Sequence, residues 1–157
     1  MRTMPNQLPA AMRRALAEAA KAAERGEVPI GAVLTGPDGS IVAAAGNRTL
    51  ELRDPTAHAE MLVLRDACAK AGSERLPGSH LYVSLEPCAM CAAAISFARV
   101  GRLYFAAPDV KMGAVENGIR FFNQDSCHHR PEVYGGIGEA QSATLLRTFF
   151  AERREGS

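Results

Sequence analysis

The spacing of apolar residues along the chain alternates between a helical period and a strand period. Apolar residues recur at intervals of three and four from Leu8 to Ala23, which predicts an amphipathic helix that ends near Gly26. Short apolar runs bounded by turn residues predict strands at residues 28–35, 41–45, 81–85, 103–107 and 133–137. Further helices are predicted at residues 58–72, 87–98 and 139–154. Strands that alternate with helices in this way favour an α/β layered domain.

Turn and capping residues set the expected boundaries of these elements. Residues 36–39, Gly-Pro-Asp-Gly, predict a tight turn, so the first two strands are expected to form a hairpin. Residues 54–56, Asp-Pro-Thr, predict a helix start, and Gly72 is a suitable cap for the end of that helix. Pro87 is expected at the first position of the third helix, where a missing N–H costs nothing. The last helix is expected to bury the stripe Leu145, Leu146, Phe149 and Phe150.

Length and composition describe an ordinary globular chain. With 157 residues we expect one domain, residues 1–157, with a core that needs no disulfide bonds. The net charge of +1 is too small for binding of nucleic acid by overall charge, so any such contact needs a local basic patch. No apolar run approaches the roughly 18–20 residues of a membrane span, and no signal peptide is recognisable. We therefore expect a cytoplasmic protein with no membrane partner and with reduced thiols.

Two of the four cysteines are spaced as metal ligands. Cys88 and Cys91 lie one turn apart at a predicted helix start, so their thiols share one face. The positive end of the helix dipole favours their thiolate forms, which would supply half of a tetrahedral zinc site. The pair alone is ambiguous, because it also fits a redox pair, half of a structural zinc site, or two small buried residues.

His58 and Glu60 resolve much of this ambiguity. Residues two apart in a helix interior point to roughly opposite sides, so both can serve one site only at a helix start. The start signal at residues 54–56 lies immediately before them. His58, Cys88 and Cys91 would then hold zinc with a fourth position left for water, which is the arrangement of a catalytic site.

Glu60 indicates the type of reaction. Two thiolates cancel the formal charge of Zn²⁺, so a nearby carboxylate is needed to accept a proton from water and to return it to a substrate nitrogen. His-x-Glu is followed by Pro-Cys-x-x-Cys, with 26 residues between Glu60 and Pro87. This pattern resembles that of the zinc deaminases, so the predicted chemistry is hydrolytic removal of an amine.

Longer segments resemble one family, the bacterial tRNA-specific adenosine deaminases of the cytidine and deoxycytidylate deaminase superfamily. The resemblance covers nearly the whole chain. It rests on Glu-Val-Pro-Ile-Gly-Ala-Val at 27–33, Gly-Asn-Arg at 46–48, Asp-Pro-Thr-Ala-His-Ala-Glu at 54–60, Leu-Tyr-Val-Ser-Leu-Glu-Pro-Cys at 81–88, His-Arg-Pro-Glu-Val at 129–133 and Phe-Phe-Ala-Glu-Arg-Arg at 149–154.

The resemblance implies a fold, a reaction and an assembly. The expected fold is a three-layer α/β/α domain around a mixed five-stranded sheet. The implied enzyme is a zinc-dependent hydrolase of an amidine C–N bond that converts adenosine to inosine at the wobble position of a transfer RNA anticodon. It would carry one Zn²⁺ per subunit, held by His58, Cys88 and Cys91, with Glu60 as the catalytic residue. A homodimer would frame the site for the anticodon stem-loop.

The same resemblance implies a set of substrate contacts. Asn47 would bind the target nucleoside, and Asp109 and Lys111 would contact neighbouring nucleotides of the anticodon loop. The end of the last helix, Arg153 and Arg154, would meet phosphates, although the two residues fit a frayed, solvated helix end equally well. The implied substrate-binding residues are Asn47, Ala59, Pro87, Asp109, Lys111, Arg153 and Arg154.

The stretch from Gly113 to Cys127 departs from the family pattern, with two adjacent phenylalanines and a cysteine. We expect it to form a wall of the substrate opening. Residues 127–129, Cys-His-His, fit either exposed loop residues with one buried thiol or a second metal site, and the first is favoured. Cys68 is expected in the core and His80 at the surface.

Two other functions remain open from the sequence. A deaminase of a free base or nucleoside (guanine, cytosine or cytidine) would share the whole zinc site, but we would expect a lid over its pocket. A non-catalytic zinc-stabilised RNA-binding module would need no base beside the metal, and Glu60 argues against it.

Overall fold

The computed structural model describes residues 7–155 of the chain. It contains a mixed five-stranded sheet with the order β2-β1-β3-β4-β5. The strands are β1 (Gly31–Thr35), β2 (Ile41–Gly46), β3 (His80–Leu85), β4 (Arg102–Ala107) and β5 (Glu132–Tyr134). The helices are α1 (Ala10–Glu24), α2 (Ala59–Ala71), α3 (Ala89–Phe97) and α4 (Glu139–Glu155), with a short 3₁₀ helix at Phe121–Asn123.

The sheet changes from antiparallel to parallel at β3. Strand β1 pairs antiparallel with both β2 and β3, whereas β3 with β4 and β4 with β5 are parallel pairs. Parallel strands end at the same edge of a sheet, so the segments that follow β3 and β4 emerge side by side. Residues 86–91, which follow β3, and residues 108–112, which follow β4, therefore lie together at the carboxyl ends of these strands.

Helices cover both faces of the sheet. Helices α1 and α4 contact one face, and α2 and α3 lie on the other. Alternate residues of β1 enter different cores: Val33 packs with Met12 of α1, while Leu34 belongs to the cluster that contains Val63 and Ile95. The predicted three-layer fold with a mixed five-stranded sheet is therefore confirmed.

Most predicted elements are present, with differences at their ends. The first strand begins at Gly31 rather than at residue 28, and the fifth has only three residues. The prediction for Pro87 was wrong, because extended backbone at Cys88 makes that residue the N-cap and leaves Pro87 outside the helix. The predicted buried stripe of α4 was wrong at Phe150, whose side chain is exposed. Within residues 7–155, no helix has the length and hydrophobicity that crossing a bilayer would require.

Helices α2 and α3 end in the same way with different residues. After α2, Gly72 has a φ of 63°, and the next amide, of Ser73, donates to the carbonyl of Cys68. After α3, Arg99 has a φ of 60°, and the next amide, of Val100, donates to the carbonyl of Ile95. Both ends are left-handed caps, and a side chain in this conformation is strained where glycine is not.

We expect exchanges at these two caps to change stability in opposite directions. Gly72→Ala should lower the free energy of unfolding by about 1 kcal/mol, because nothing lies near the added methyl group and only backbone strain is introduced. Arg99→Gly should raise it by less than about 1 kcal/mol, because it removes the same strain but also the hydrogen bond from the Arg99 guanidinium to the carbonyl of Ser96. Urea denaturation of the zinc-loaded proteins measures both, and a stabilised Gly72→Ala variant would contradict the argument.

Candidate metal centre and substrate pocket

Two helix starts carry the predicted metal ligands. His58 is the N-cap of α2 and Cys88 is the N-cap of α3, and both have extended backbone. Neither side chain caps its own helix, so each is available to a ligand beyond the helix end. Cys91 lies in the first turn of α3 and Glu60 in the first turn of α2. The prediction that His58 and Glu60 flank a helix start is confirmed.

The distances between the ligand atoms fit a zinc ion. Nδ1 of His58 lies 3.6 Å from Sγ of Cys88 and 3.5 Å from Sγ of Cys91. A tetrahedral zinc with Zn–N near 2.05 Å and Zn–S near 2.3 Å separates such atoms by about 3.6 Å. In the described part of the chain, these three residues form the one cluster of metal-ligating side chains, with all ligand atoms within 4.8 Å. The nitrogen that faces the cysteines is Nδ1.

The two thiols differ in proton affinity before metal binds. A hydrogen bond from Cys91, together with one from His58, lowers the pKa of Cys88 to about 4. The neighbouring Cys88 thiolate and burial raise the pKa of Cys91. The hydrogen bond to Cys88 raises the pKa of His58. These shifts favour the thiolate form at Cys88, and binding of zinc by both cysteines would require Cys91 to lose its proton as well.

Glu60 is placed to carry protons beside this cluster. Its side chain is 4% exposed and lines the same pocket as His58 and Cys88. Burial raises the pKa of its carboxyl group above the usual value. A carboxylate with a raised pKa accepts and returns a proton near neutral pH more readily than a solvated one.

Asn47 fixes the start of α2 from outside the helix. Its Oδ1 accepts a 2.8 Å hydrogen bond from the amide of Ala59, one of the first amides of α2 that have no acceptor within the helix. Its own backbone is held on both sides: its amide donates to Ile30 and its carbonyl accepts from Arg25. Asn47 also lines the pocket, so the residue predicted to bind substrate has a second role in placing His58.

A pocket of about 750 Å³ extends from the metal ligands to α4. Asp109 and Lys111 line it, as expected from the resemblance. Its rim carries three exposed apolar side chains, Val110, Met112 and Phe150, of which Phe150 is 45% exposed. The full lining is Val28, Ile30, Asn47, Thr49, His58, Glu60, Leu85, Glu86, Cys88, Pro108, Asp109, Val110, Lys111, Met112, Leu146 and Phe150.

Residues 113–127 do not line this pocket, so the prediction that they form its wall was wrong. The wall on this side is residues 108–112. The later part of the stretch turns back onto α3, where Phe122 is buried in the core. Cys127 is also buried and its thiol donates to the carbonyl of His129, which favours the buried-thiol interpretation over a second metal.

Four of the residues implied as substrate contacts lie outside the pocket lining. Ala59 and Pro87 are buried behind it. The guanidinium group of Arg153 lies 4.1 Å from the centre of the Phe149 ring and donates to the carbonyl of Gly26. Arg154 is exposed in the last turn of α4.

The sequence analysis missed two buried carboxylates beside the pocket, Glu27 and Glu86. Glu27 accepts hydrogen bonds from the amides of Leu50 and Glu51, so it holds the segment that follows Asn47. Burial raises the pKa of Glu86, but hydrogen bonds from residues 109–117 outweigh this effect and leave the pKa below its usual value. A signal was present for Glu86, which directly follows the largely apolar strand segment at residues 81–85.

The chain is similar to known zinc deaminases. The zinc-binding region of cytidine and deoxycytidylate deaminases matches residues 5–107. A tRNA-specific adenosine deaminase from Agrobacterium fabrum is 62% identical over 143 residues, which cover 91% of this chain and 93% of that protein.

Solved structures of deaminases also match the fold of this chain. One comes from biochemical and structural studies of A-to-I editing by tRNA:A34 deaminases at the wobble position of transfer RNA. It matches with a TM-score of 0.85 and 62% identity, over 87% of this chain and 98% of that chain. A guanine deaminase from Nitrosomonas europaea matches with a TM-score of 0.74 and 26% identity, over 96% of this chain and 86% of that chain.

Variants of the site should separate metal binding from proton transfer. We expect Glu60→Ala to keep about one zinc per chain, because the carboxylate is not among the clustered ligand atoms. Cys88→Ala should lose zinc and lower the melting temperature, because it removes a ligand at a helix start. Elemental analysis and thermal denaturation measure both effects, with Cys68→Ala as a control outside the cluster. Full zinc occupancy in Cys88→Ala would contradict the assignment.

Proposed function

Because the chain belongs to the cytidine and deoxycytidylate deaminase family, and within it to the tRNA-specific adenosine deaminases, we propose that it converts adenosine to inosine at the wobble position of a transfer RNA anticodon. The observation that carries this choice is the extent of the similarity: the tRNA-specific relative is 62% identical over nearly its whole length. The guanine deaminase shares the fold at much lower identity. The transfer RNA substrate implies a cytoplasmic enzyme.

The reaction needs a water nucleophile, which the metal centre provides. His58, Cys88 and Cys91 would hold zinc, and a bound zinc ion would supply the nucleophile by lowering the pKa of water toward neutrality. Addition of water to C6 of adenine and loss of ammonia give inosine. The residues of the chain must then move protons and hold the base in place.

Glu60 carries the protons in this proposal. Its carboxylate accepts a proton from the attacking water and delivers it to N1 of the ring. A second proton passes through the same carboxylate to the departing amine, so water is consumed and ammonia is released with no other reactant. The burial of Glu60 favours this cycle, because a carboxylate excluded from solvent exchanges its proton with the substrate rather than with bulk water.

Residues around the pocket are proposed to hold the substrate in position. An anticodon loop is single-stranded, so its base can be turned into the pocket at small unstacking cost. We propose that Asn47 binds the target nucleoside and that Asp109 and Lys111 contact adjacent nucleotides, since all three line the pocket. Arg153 and Arg154 are proposed to meet phosphates from the end of α4. Contact of Arg153 with a phosphate would require it to leave or share its bond to Gly26.

A deaminase of free bases is the less favoured function. It would use the same zinc cluster and Glu60, so these residues cannot distinguish the two. The pocket, however, is bordered by exposed side chains of the 108–112 segment and of α4, including Val110 at 82% and Met112 at 63% exposure. Such a rim suits a substrate that continues beyond the target base.

We also propose that the enzyme is a homodimer and that α3 contributes to the interface. Helix α3 contains no charged residue, and a helix that is apolar on all sides is normally buried on all sides. In the single chain, however, one side faces outward: Ala89 is exposed, Ala93 is half-buried and Phe97 is 71% exposed. A second copy of the chain would cover this side.

The function is tested with an anticodon stem-loop, free guanine and free cytosine, offered separately to the zinc-loaded enzyme. We expect inosine in the stem-loop and no ammonia from either base. Glu60→Gln should lower kcat by about 10²–10⁴-fold, because it removes the proton carrier. Ammonia from a free base together with an unchanged stem-loop would overturn the proposal, and full activity of the Glu60 variant would overturn the proton-carrier role.

The dimer is tested by light scattering with size-exclusion chromatography. We expect the wild-type chain to elute at twice its monomer mass of 16.7 kDa and Phe97→Lys to shift toward the monomer, because a charge would have to be buried in the interface. Ile41→Lys is the matched control, since Ile41 is also an exposed apolar residue and belongs to the edge strand β2 rather than to α3. A monomeric wild-type chain would contradict the proposal.

A further inference from the structure

Glu86 is a buried carboxylate in the lining of the pocket that also contains the metal ligands His58 and Cys88. It follows the last residue of β3 and precedes Pro87 and the ligand Cys88 by one and two positions. Its side chain is 2% exposed, and it lies in the pocket lining. Among residues 7–155, no lysine, arginine or histidine forms an ion pair with it.

Hydrogen-bond donors from a single loop surround this carboxylate. We call residues 108–117 the 108–117 loop. Oε2 accepts the consecutive amides of Val115, Glu116 and Asn117, at 3.1, 2.9 and 3.0 Å. Oε1 accepts the amide of Asp109 at 3.0 Å and Nδ2 of Asn117 at 2.7 Å. Three successive amides that converge on one oxygen form a concave anion site, here filled by a side chain of the protein itself.

The same loop supplies one wall of the substrate pocket. Its first half, residues 108–112, lines the pocket, and its second half binds Glu86. The two halves are joined by a closed turn in which the amide of Gly113 donates to the carbonyl of Asp109 at 2.9 Å. Oδ1 of Asp109 accepts the amides of Lys111 and Met112, which fixes the pocket-facing residues relative to the turn.

The loop packs closely against Glu86 at Gly113. A Cβ atom on Gly113 would lie 2.5 Å from Oε2 of Glu86 and 2.4 Å from the carbonyl oxygen of Asp109, both far below van der Waals contact. The amide of Ala114 also donates to the carbonyl of Pro87 at 2.9 Å. The loop is therefore fitted directly against the segment that carries Cys88.

Only an ionised carboxylate matches this set of partners. All five donors are N–H groups, and a carboxylate offers two acceptor oxygens with no hydrogen of its own. Glutamine has the same shape, but its NH₂ group would face at least one of these donors. A buried donor without an acceptor costs about 1–3 kcal/mol, so the loop would be expected to shift or loosen.

We infer that Glu86 is a positioning residue of this enzyme: it fixes the pocket wall at residues 108–112 relative to Cys88 and so determines how tightly the anticodon loop binds. The inference rests on the proposed function for its substrate. Glu86 acts through the loop and not on the reacting atoms. Its loss should therefore weaken substrate binding more than the chemical step.

The test compares zinc-loaded Glu86→Gln with Glu116→Gln, a matched control with the same chemical change at an exposed side chain of the same loop. Amide hydrogen exchange at residues 115–117 should be at least about tenfold faster in Glu86→Gln, while Glu116→Gln should resemble wild type. With the stem-loop, KM should rise about tenfold in Glu86→Gln while kcat stays within about threefold and zinc content is unchanged.

Two further variants change the contact between Glu86 and the 108–117 loop by substitutions in the loop. Asn117→Ala removes one of the five donors, so amide exchange and KM should both rise, but less than in Glu86→Gln. If Glu86→Gln does not fold, this variant tests the positioning role of Glu86 instead. Gly113→Ala pushes against the carboxylate and should reproduce the rise in KM.

Unchanged exchange at residues 115–117, or a KM equal to that of Glu116→Gln, would overturn the inference. So would a fall in kcat that follows loss of zinc. A wild-type chain that leaves the stem-loop unmodified overturns the proposed function instead, and this result appears before any variant is compared.

Discussion

The site depends on one geometric constraint: a histidine and a glutamate two positions apart must face the same metal. Within a helix they would point apart, so α2 has to begin between them, with His58 as the N-cap and Glu60 in the first turn. Helix α3 has the same arrangement, with Cys88 as its N-cap. Each helix thereby gives up its capping side chain to the metal, and α2 regains a cap from Asn47. The requirement for Asn47 is thus a direct consequence of where the ligands must lie.

Buried carboxylates bind the backbone of the two loops beside the pocket, in addition to the apolar contacts that Val115 makes with the core. Glu27 binds amides of the segment after Asn47, and Glu86 binds amides of the 108–117 loop. A loop cannot bury many apolar side chains without also burying its backbone amides, so acceptors must be brought to it. Glu86 directly follows β3, and Glu27 lies in the segment between α1 and β1, so each loop is bound to a segment that leads into or out of the sheet. The metal ligands and the pocket walls are thereby both held in place by the sheet.

The elements and the metal ligands could be predicted because their signals are local. The start signal at residues 54–56 and the pair Cys88 and Cys91 needed only helix geometry to place three ligands and Glu60. Phe150 was misplaced because α4 borders an open pocket on a side where the apolar pattern alone predicts core. The wall was assigned to residues 113–127 because sequence alone does not reveal that amides 115–117 bond to Glu86, more than twenty positions earlier, while residues 108–112 line the pocket. Contacts of this kind join distant positions through backbone atoms, and they leave no pattern of side chains along the chain.

The backbone bonding of the 108–117 loop also bears on how such an enzyme can diversify. Its position is set by the main-chain amides of residues 109 and 115–117, whereas Val110, Lys111 and Met112 contribute exposed side chains to the pocket. Substitutions at these three positions can therefore accumulate without moving the scaffold on which they are displayed. A single zinc centre can then serve many substrates over evolutionary time, because the part that recognises them is free to vary while the part that performs the chemistry is preserved.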